Sequence, residues 1–272
     1  MKAAVIFGVP AYAGDASLGR MFDRLRAGGF SIEEVTKEGP LPGDCAVLLS
    51  VGGDGTFLAA SALAAPASVP VVGVNLGRMG FLSENEPSDV ADALLAGDYI
   101  VEDRTLLDAR LKDGAAERHF TALNDIVVSR EGSAMLGTEV SIDGMALPAY
   151  WGDGLLVATA SGSTAYSLSV GGPIVLPSSK VLIIAPVAPH NLNVRPLIVP
   201  EDSEISISFR SRSPRVRLSA DNTACCASSD SILSVRVAQF SLKRIRLRKA
   251  SFIKALSDKL HWGDDIRNEK YD

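Results

Sequence analysis

A short apolar run that leads directly into a glycine-rich turn constrains this chain of 272 residues more than any other feature. Residues 46–51 predict a buried strand, and Gly52-Gly53-Asp54-Gly55-Thr56 follows at once. Glycines tolerate positive φ and let a ligand approach the backbone. The apolar segment 57–65 predicts a helix whose positive end faces the same ligand. The pattern therefore predicts an α/β fold with a phosphate-binding turn at the end of a strand.

Asp54 needs a separate explanation, because a carboxylate among phosphate-binding amides repels phosphate. Its chemistry suits accepting or orienting the proton of an attacking hydroxyl group, as in phosphoryl transfer. The alternative is a tight strand-to-helix turn in which Asp54 is the N-cap of the helix. Glycine-rich turns occur in many α/β proteins, so the pentapeptide alone leaves both interpretations open.

The first hundred residues alternate between apolar runs and helical patterns. Strands are predicted at residues 3–9, 46–51 and 70–75, and helices at residues 18–25 and 87–97. Strands separated by helices predict a doubly wound parallel sheet, which binds its ligands at the carboxyl ends of the strands.

After about residue 100 the segments become short and alternate in polarity, which is typical of an antiparallel, β-sandwich-like domain. These segments are residues 106–111, 120–128, 139–142, 204–209, 215–220, 231–237 and 244–247. The sequence therefore predicts an α/β domain of residues 1–100 plus 246–272, to which a C-terminal helix returns, and a β-rich domain of residues 101–245. A cleft between the two domains is the expected place for a substrate.

The composition is that of a globular protein, with 47% hydrophobic and 22% charged residues and a net charge of −5. This charge does not favour a general nucleic-acid-binding surface. The best basic cluster is Lys243, Arg244, Arg246, Arg248 and Lys249. Its arginines alternate with Ile245 and Leu247, as in a strand with one solvent-facing side.

The three cysteines and the N-terminus point to a cytoplasmic protein. Cys45, Cys225 and Cys226 have no metal-binding spacing, and a vicinal pair is a poor structural disulfide, so a reducing compartment is expected. The apolar run 3–7 is too short for a signal peptide, and no apolar segment approaches the length of a membrane span.

Three polar groups of residues interrupt the β pattern. Asn124-Asp125 offers an amide and a carboxylate to a base or a ribose, although a turn or strand edge is equally consistent. Gly152-Asp153-Gly154 brings a carboxylate close to a backbone or a ligand, and it is also a common turn. The segment 161–169 combines hydroxyl groups with Tyr166 and suits a nucleoside, with a Ser/Thr-rich loop as the alternative.

In chain order, these motifs closely resemble those of the NAD kinase family. The resemblance is carried by Gly52-Gly53-Asp54-Gly55-Thr56, the segment 73–82, Asn124-Asp125, Gly152-Asp153-Gly154-Leu155, Gly162-Ser163-Thr164-Ala165-Tyr166, Gly171-Gly172-Pro173-Ile174, Pro189-His190, Arg195-Pro196-Leu197 and Lys259-Leu260-His261-Trp262-Gly263. The first motif is shared with diacylglycerol and sphingosine kinases and fixes only a superfamily. The motif at 162–166 and the tail at 259–263 are far more specific.

The resemblance implies ATP-dependent phosphorylation of the adenosine ribose 2′-hydroxyl of NAD, which gives NADP. It implies that Asp54 accepts the hydroxyl proton and that Gly52, Gly53, Gly55 and Thr56 hold phosphates. The implied NAD-binding residues are Asp54, Gly55, Asn124, Asp125, Asp153, Ser161, Thr164, Ala165, Tyr166, Ser167, Leu168, Ser169 and Ala188.

The resemblance also implies the partners of the protein. NAD and ATP are the expected ligands, and Mg²⁺ or another divalent cation arrives with ATP rather than in a protein cage, with no tightly bound cofactor. A homo-oligomer, either a dimer or a tetramer, is expected, with no nucleic acid and no membrane as partner. The residues leave open the range of phosphoryl donors and the choice between NAD and NADH.

The chain departs from the family pattern at several positions. Asp125 stands where Glu is common, Ala160 where Pro is common, and Ala59 where a basic residue often helps with phosphate. Asn222 and Thr223 stand where Gly and Gln are common.

Two other functions remain as alternatives. A catalytically weak NAD(P)-binding module would keep the nucleoside contacts but lose phosphate handling through these departures. A lipid or small-alcohol kinase of the same superfamily would need an apolar slot, against which the polar segment 161–169 argues.

Overall fold

The computed structural model describes residues 1–77 and 80–262. Arg78 and Met79 of the 73–82 motif, and Gly263 of the C-terminal motif, lie outside the described residues. The chain divides into two compact units. One comprises residues 1–102 and the C-terminal segment that begins at Lys243, and the other comprises residues 103–242.

Nineteen strands and five α-helices follow one another along the described residues. In chain order they are β1 (Lys2–Phe7), α1 (Ala16–Ala27), β2 (Ser31–Glu34), β3 (Cys45–Val51), α2 (Asp54–Ala64), β4 (Val71–Val74), α3 (Pro87–Ala96), β5 (Tyr99–Arg104), β6 (Leu107–Asp113), β7 (Ala116–Ala122), β8 (Asp125–Arg130), β9 (Leu136–Ile142), β10 (Met145–Ala146), β11 (Tyr150–Gly152), β12 (Gly154–Thr159), α4 (Tyr166–Ser169), β13 (Val181–Val187), β14 (Leu197–Pro200), β15 (Ile205–Ser211), β16 (Arg215–Ala220), β17 (Thr223–Ser228), β18 (Ile232–Val237), β19 (Leu242–Leu247) and α5 (Phe252–Leu260).

The first unit contains a six-stranded sheet in the order β2-β1-β3-β4-β19-β5. The pairs from β2 to β19 are parallel. Helices α1 and α3 pack on one face, where Leu18 and Leu94 join a core with Val5 and Leu49. Successive residues of a strand face opposite sides of the sheet, so Ala4, next to Val5, points to the other face. Helix α2 packs against β1, β3 and β4. The predicted doubly wound parallel sheet is confirmed.

The helix boundaries of this unit follow from residues that the sequence places at them. Asp15 caps α1, and its carboxylate accepts hydrogen bonds from the N–H groups of Ser17 and Leu18 at 2.8 and 3.1 Å. Helix α3 begins at Pro87, whose missing N–H costs nothing there, and ends at Gly97 with a left-handed φ of 67°.

The second unit consists of two antiparallel sheets that enclose one core. One sheet has the order β10-β9-β15-β18-β6-β7, with β11 also paired to β9, and the other has the order β14-β13-β12-β8-β16-β17. Apolar side chains of both sheets, such as Leu111 and Val140 from one and Val128 and Leu155 from the other, form a single buried cluster. The predicted β-sandwich-like architecture is confirmed.

Several elements differ from the sequence prediction, and some short strands, such as β5, β14 and β17, were not predicted. The strand at Ser31–Glu34 was not predicted, because this edge strand is polar and mostly exposed. The predicted segment 120–128 is two strands, β7 and β8. The strand around Arg244 was assigned to the β-rich region, but it lies in the first sheet, where Arg244 is the partner of Val71 in β4. None of the described helices has both the length and the apolar character needed to cross a membrane.

Candidate active site

The glycine-rich turn follows β3 where the strand order of the first sheet reverses. Strands β1 and β3 are neighbours although β2 lies between them in sequence, and open α/β sheets bind ligands at such a switch point. Gly52 has a φ of 147°, and a Cβ there would lie 2.5 Å from Thr56 Oγ1. A Cβ at Gly8, just after β1, would lie 2.2 Å from the same oxygen. Both positions therefore require glycine, and the Thr56 hydroxyl lies between the ends of the two strands.

The backbone of this turn is partly committed to the fold. The N–H of Gly52 donates to Val74 O at 2.9 Å, and the N–H of Thr56 donates to Gly53 O at 3.0 Å. Gly53 and Gly55, on either side of Asp54, are exposed. Of the residues predicted to hold phosphate, these two glycines are therefore the ones that a ligand can approach directly.

Asp54 is the first residue of α2, and the N-cap residue is Gly53. Its carboxylate accepts three hydrogen bonds from one loop. Phe81 N–H donates to Oδ2 at 2.9 Å, and the N–H groups of Leu82 and Ser83 donate to Oδ1 at 3.0 and 2.9 Å. The interpretation of Asp54 as a helix N-cap is therefore wrong. Because an ionised carboxylate has about four acceptor positions, Oδ2 keeps one for a further donor.

The loop that holds Asp54 received no role from the sequence. A Cβ at Gly80 would lie 1.9 Å from the carboxylate, so glycine is required there. The loop folds back onto β4, because Asn75 Nδ2 donates to Ser83 O at 2.8 Å and Asn85 Nδ2 donates to Gly73 O at 2.9 Å. The glycines and asparagines of this segment were visible in the sequence, but nothing there indicated that they serve the aspartate.

In the second unit, the half-buried Asp221 fixes the segment that carries Asn124 and Asp125. The carboxylate of Asp221 accepts hydrogen bonds from the N–H groups of Leu123, Asn124 and Asp125 at 2.7, 2.9 and 3.2 Å. Asp221 lies in the turn between β16 and β17 with a φ of 46°. Sequence reasoning gave it no role, because its partners are backbone amides almost a hundred residues away.

The segment after β12 holds Asn124 and its neighbours from the other side. Thr159 Oγ1 donates to Leu123 O at 2.5 Å and accepts from Gly162 N–H at 3.1 Å. A Cβ at Gly162 would lie 2.1 Å from Asn124 O, so glycine is required at this contact. Ser161, which adjoins Gly162, is therefore brought beside Asn124.

Burial changes the acidity of the two aspartates. It raises the pKa of Asp125 to about 7, and the nearby Asp221 carboxylate adds to the rise. Burial also raises the pKa of Asp221, while its three N–H donors oppose the change. With its pKa near 7, Asp125 is partly protonated near neutral pH, so it can donate as well as accept a hydrogen bond.

The remaining nucleoside candidates lie in a 3₁₀ turn at Ser161–Thr164 and in α4. Ser161 is buried, and Arg104 Nη1 donates to its hydroxyl at 3.5 Å. Tyr166 is 43% exposed, which leaves its ring available for stacking, whereas Ser167 is fully buried. Of the others, Ser169 is exposed, and those that are half-buried are Thr164, Ala165 and Leu168.

Two family models match most of the chain. The ATP-NAD kinase N-terminal domain matches residues 31–99, and the ATP-NAD kinase C-terminal domain matches residues 123–247. The chain belongs to the NAD kinase family. The family predicted from the motifs is confirmed.

Relatives named NAD kinase support this assignment. The chain is 38% identical to one from Flavobacterium psychrophilum over 229 residues, which are 82% of this chain and 78% of the relative. It is 41% identical to one from Heliobacterium modesticaldum over 224 residues, 80% of this chain and 79% of the relative.

Solved structures show the same fold. The crystal structure of an NAD kinase from Archaeoglobus fulgidus in complex with ATP is 26% identical, with a TM-score of 0.76, and the match covers 96% of this chain and 99% of that one. Yeast NADH kinase complexed with NADH has a TM-score of 0.85 at 23% identity, covering 98% and 89%.

In this NAD kinase chain, two predicted site residues lie away from the rest of the second-unit group. Gly154 is the partner of Ser129, and Ala158 is the partner of Asp125, so Asp153 lies about 15 Å along β12 from Asp125. The carboxylate of Asp153 pairs with Arg130 Nε at 2.6 Å.

Ala188 lies at this same far end of the sheet. It has a φ of 44°, and a Cβ at Gly152 would lie 2.8 Å from its carbonyl oxygen. A Cβ at Gly154 would lie 2.3 Å from Val128 O. Close backbone packing thus requires glycine at both ends of the Gly152-Asp153-Gly154 motif.

The departures from the NAD kinase pattern fall in different environments. Ala59 is half-buried in α2, and Thr223 is exposed at the start of β17. Ala160 is buried, with a φ of −57° and a ψ of −36°. This conformation suits proline, so the loss of proline leaves the local backbone geometry unchanged.

The donor groups near Asp54 bear on where a divalent ion binds. Within residues 1–77 and 80–262, no three His, Cys, Asp or Glu side chains are arranged to hold a metal ion. The carboxylate of Asp54 is already engaged by three amides. For a divalent ion, Asp54 therefore offers only the acceptor position that Oδ2 keeps.

Proposed function

We propose that this chain is an ATP-dependent NAD kinase, which transfers the γ-phosphoryl group of ATP to the 2′-hydroxyl of the adenosine ribose of NAD and forms NADP. One observation carries the proposal. The carboxylate of Asp54 is held by three amides at the head of a phosphate turn and keeps one acceptor position on Oδ2.

The reaction balances with Asp54 as proton acceptor. The 2′-oxygen of NAD attacks the γ-phosphorus, the bond from that phosphorus to the β–γ bridging oxygen breaks, and ADP leaves. The hydroxyl proton passes to Oδ2 of Asp54. Three fixed N–H donors hold the carboxylate in one orientation, so little reorganisation is needed during the step.

Phosphate binding is proposed for the exposed part of the turn. Gly53 and Gly55 allow phosphate oxygens to approach the backbone at the positive end of α2. Gly52 and Thr56, whose N–H groups are used within the fold, shape the turn. Mg²⁺ or another divalent cation bound to ATP supplies further neutralisation of the phosphate charge.

NAD binding is proposed for the second unit. Asn124 and Asp125 offer an amide and a carboxyl to the adenine and its ribose, and Tyr166 offers an exposed ring for stacking. The hydroxyl of Ser161 and the half-buried Thr164 complete the polar wall, and Ala165, Leu168 and Ser169 contact NAD from the same segment. Ser167 belongs to this segment too, but it is fully buried and supports it from within the protein. The close backbone packing around Gly162 supports this group as a preformed surface.

Asp153 and Ala188 support a homo-oligomer, either a dimer or a tetramer. Both residues lie at the end of the sheet opposite Asn124 and Asp125. We propose that they contact the nicotinamide side of an NAD molecule whose adenosine is bound by another copy of the chain, so that each site combines residues of two copies.

We also propose that the enzyme works in the cytoplasm in NADP biosynthesis, without nucleic-acid or membrane partners. The three cysteines are free, which suits a reducing compartment, and the net charge is −5.

The test is NADP formation from NAD, ATP and Mg²⁺ by the purified protein and by Asp54→Asn. We expect the variant to lose at least about 100-fold in kcat, because general-base catalysis contributes on the order of 100- to 10,000-fold. Calorimetry should show that NAD affinity is nearly unchanged. Asp92→Asn, which alters an exposed aspartate of the same unit, is the matched control and should keep full activity.

Each outcome has a distinct meaning. A wild-type protein that binds NAD but forms no NADP would be a nucleotide-binding module. Unchanged turnover in Asp54→Asn would show that another group accepts the proton. Phosphorylation of a lipid alcohol in place of NAD would move the protein to another branch of the superfamily.

A further inference from the structure

The C-terminal helix of the first unit contacts the loop that holds Asp54. Lys259, in the last turn of α5, donates a hydrogen bond to Gly80 O. Its Nζ also lies 4.5 Å from the centroid of the Phe81 ring, within the range of a cation–π interaction. The ring of Phe252, at the start of α5, lies 6.1 Å from the same Phe81 ring. Both ends of helix α5 therefore contact this loop, Phe252 at the start of the helix and Lys259 near its end.

The hydrogen bond from Lys259 reaches Asp54 through a single peptide group. Gly80 C=O and Phe81 N–H belong to the same planar trans peptide, and they point in opposite directions. Lys259 binds the oxygen of this group, and Asp54 Oδ2 accepts from its N–H at 2.9 Å. A cation on the oxygen polarises the peptide and strengthens its N–H as a donor. The oxygen affected is Oδ2, which keeps an acceptor position for the substrate.

The next two peptide groups are arranged in the same way around Arg244. This buried side chain donates through Nη2 to the carbonyl oxygens of Phe81 and Leu82, both at 3.4 Å, and to Glu84 Oε1 at 2.6 Å. The N–H groups of those same two peptides donate to Oδ1 of Asp54. Three consecutive peptides thus have a cation on the oxygen side and one carboxylate on the N–H side.

We propose that Lys259 is a positioning residue for Asp54, which acts with Arg244 through the peptides of the 80–83 loop to fix Oδ2 for proton transfer. The inference rests on the proposed kinase activity. Lys259 is the better residue to test, because removing buried Arg244 would leave Glu84 as an unpaired buried charge.

The pH dependence of this arrangement follows from the groups that face Lys259. Burial lowers the pKa of its ammonium group, Arg244 lowers it further, and Glu84, Asp54 and Asp258 oppose the change. As the pH rises through this lowered pKa, Lys259 loses its charge and its hold on Gly80 O. We therefore expect kcat to fall on the alkaline side. In Lys259→Arg that fall should move to higher pH, since a guanidinium stays protonated.

The experiment compares Lys259→Met, which removes the ammonium group but keeps an unbranched side chain, with Lys259→Arg. The control is Lys254→Met, which changes an exposed lysine of the same helix. A misplacement on the 1 Å scale costs on the order of 100-fold, so we expect kcat of Lys259→Met to fall about 10- to 100-fold. The KM for NAD should change by less than about threefold, because the ground-state contacts remain. Lys259→Arg should recover most of kcat, and Lys254→Met should match the wild type.

A second readout needs no activity. Hydrogen exchange at the amides of Phe81, Leu82 and Ser83 should be faster in Lys259→Met than in the wild type, at equal global stability. If the wild type forms no NADP, the proposed function fails while this exchange measurement still tests the link to Asp54. Unchanged exchange with unchanged kcat would overturn the inference. The inference would also be overturned if the loss of kcat were equal in Lys254→Met and were explained entirely by the fraction of unfolded protein.

Discussion

Asp125 shows how strongly one buried carboxyl group can make the stability of this protein depend on pH. Its pKa is about 7 in the folded chain, against a usual value of 3.8, because burial and Asp221 disfavour its charge. Between these two pH values the folded chain holds a proton that the unfolded chain has lost, so the free energy of unfolding falls as the pH rises. In the wild type this group should lower the free energy of unfolding by about 2–3 kcal/mol between pH 5 and pH 8, and we expect Asp125→Asn to remove that part of the decrease. Urea unfolding at the two pH values measures it.

The matched control for this experiment is Asp230→Asn, an exposed aspartate of the same unit. It should leave the decrease as it is in the wild type. An Asp125→Asn variant with the same pH dependence as the wild type would show that Asp125 is ionised in the folded chain and that its pKa is not raised.

At the scale of the element, the junction between β12 and the following 3₁₀ turn accepts a proline. Ala160 has a φ of −57°, close to the value that proline fixes, and the preceding Thr159 is extended, as a residue before proline must be. We expect Ala160→Pro to raise the free energy of unfolding by about 0.4–1 kcal/mol, because the unfolded chain loses conformational freedom. Denaturant unfolding at one pH measures the change.

Ala165→Pro is the contrasting variant at the other end of the same turn. Its φ is −99°, and its N–H donates to Gly162 O at 2.9 Å, so proline there should destabilise the protein. A lower stability of Ala160→Pro would mean that the added ring does not fit at this buried position.

At the scale of the whole molecule, the positions of Asp54 and Asp153 make the proposed oligomer testable. If each site takes Asp54 from one copy and Asp153 from another, Asp54→Asn and Asp153→Asn are each inactive alone. Unfolding and refolding them together should restore activity at about a quarter of the sites, because random pairing creates some sites with both residues intact. The NADP-forming rate of the mixture measures this.

A mixture with no more activity than its components would place both residues in the same copy. The same lack of activity would be found if the only role of Asp153 were its ion pair with Arg130. In that case Arg130→Gln would give the same result as Asp153→Asn. In either case the shared site between copies would be wrong.

The sequence predicted those parts of the fold and site that depend on local patterns. The apolar run before Gly52 predicted β3, and Pro87 with Gly97 predicted the limits of α3, because both signals lie in adjacent residues. The strand at Ser31–Glu34 was missed, since a polar edge strand gains its order from a neighbour rather than from its own pattern. Alternation predicted a solvent-facing Arg244, yet the residue is buried.

The contacts that hold Asp54 and Asn124 in place could not be predicted from the sequence, for a different reason. Both are held through backbone amides, by the loop at 80–83 and by Asp221 respectively. Every residue except proline has such an N–H, so the identity of the donor leaves no trace in the sequence. The glycines that permit the contacts, Gly80 and Gly162, were visible, but their partners were not.

The position of β19 has a consequence for how the chain is made. This strand lies between β4 and β5 in the first sheet, yet it begins at Leu242, the last residue of the second unit. During synthesis the first sheet lacks the strand beside β4 until Leu242–Leu247 has left the ribosome. The second unit is continuous and has no such delay. Although domains generally fold from the N-terminus, here the second unit can finish first, and residues 1–102 are the part that chaperones would meet unfinished.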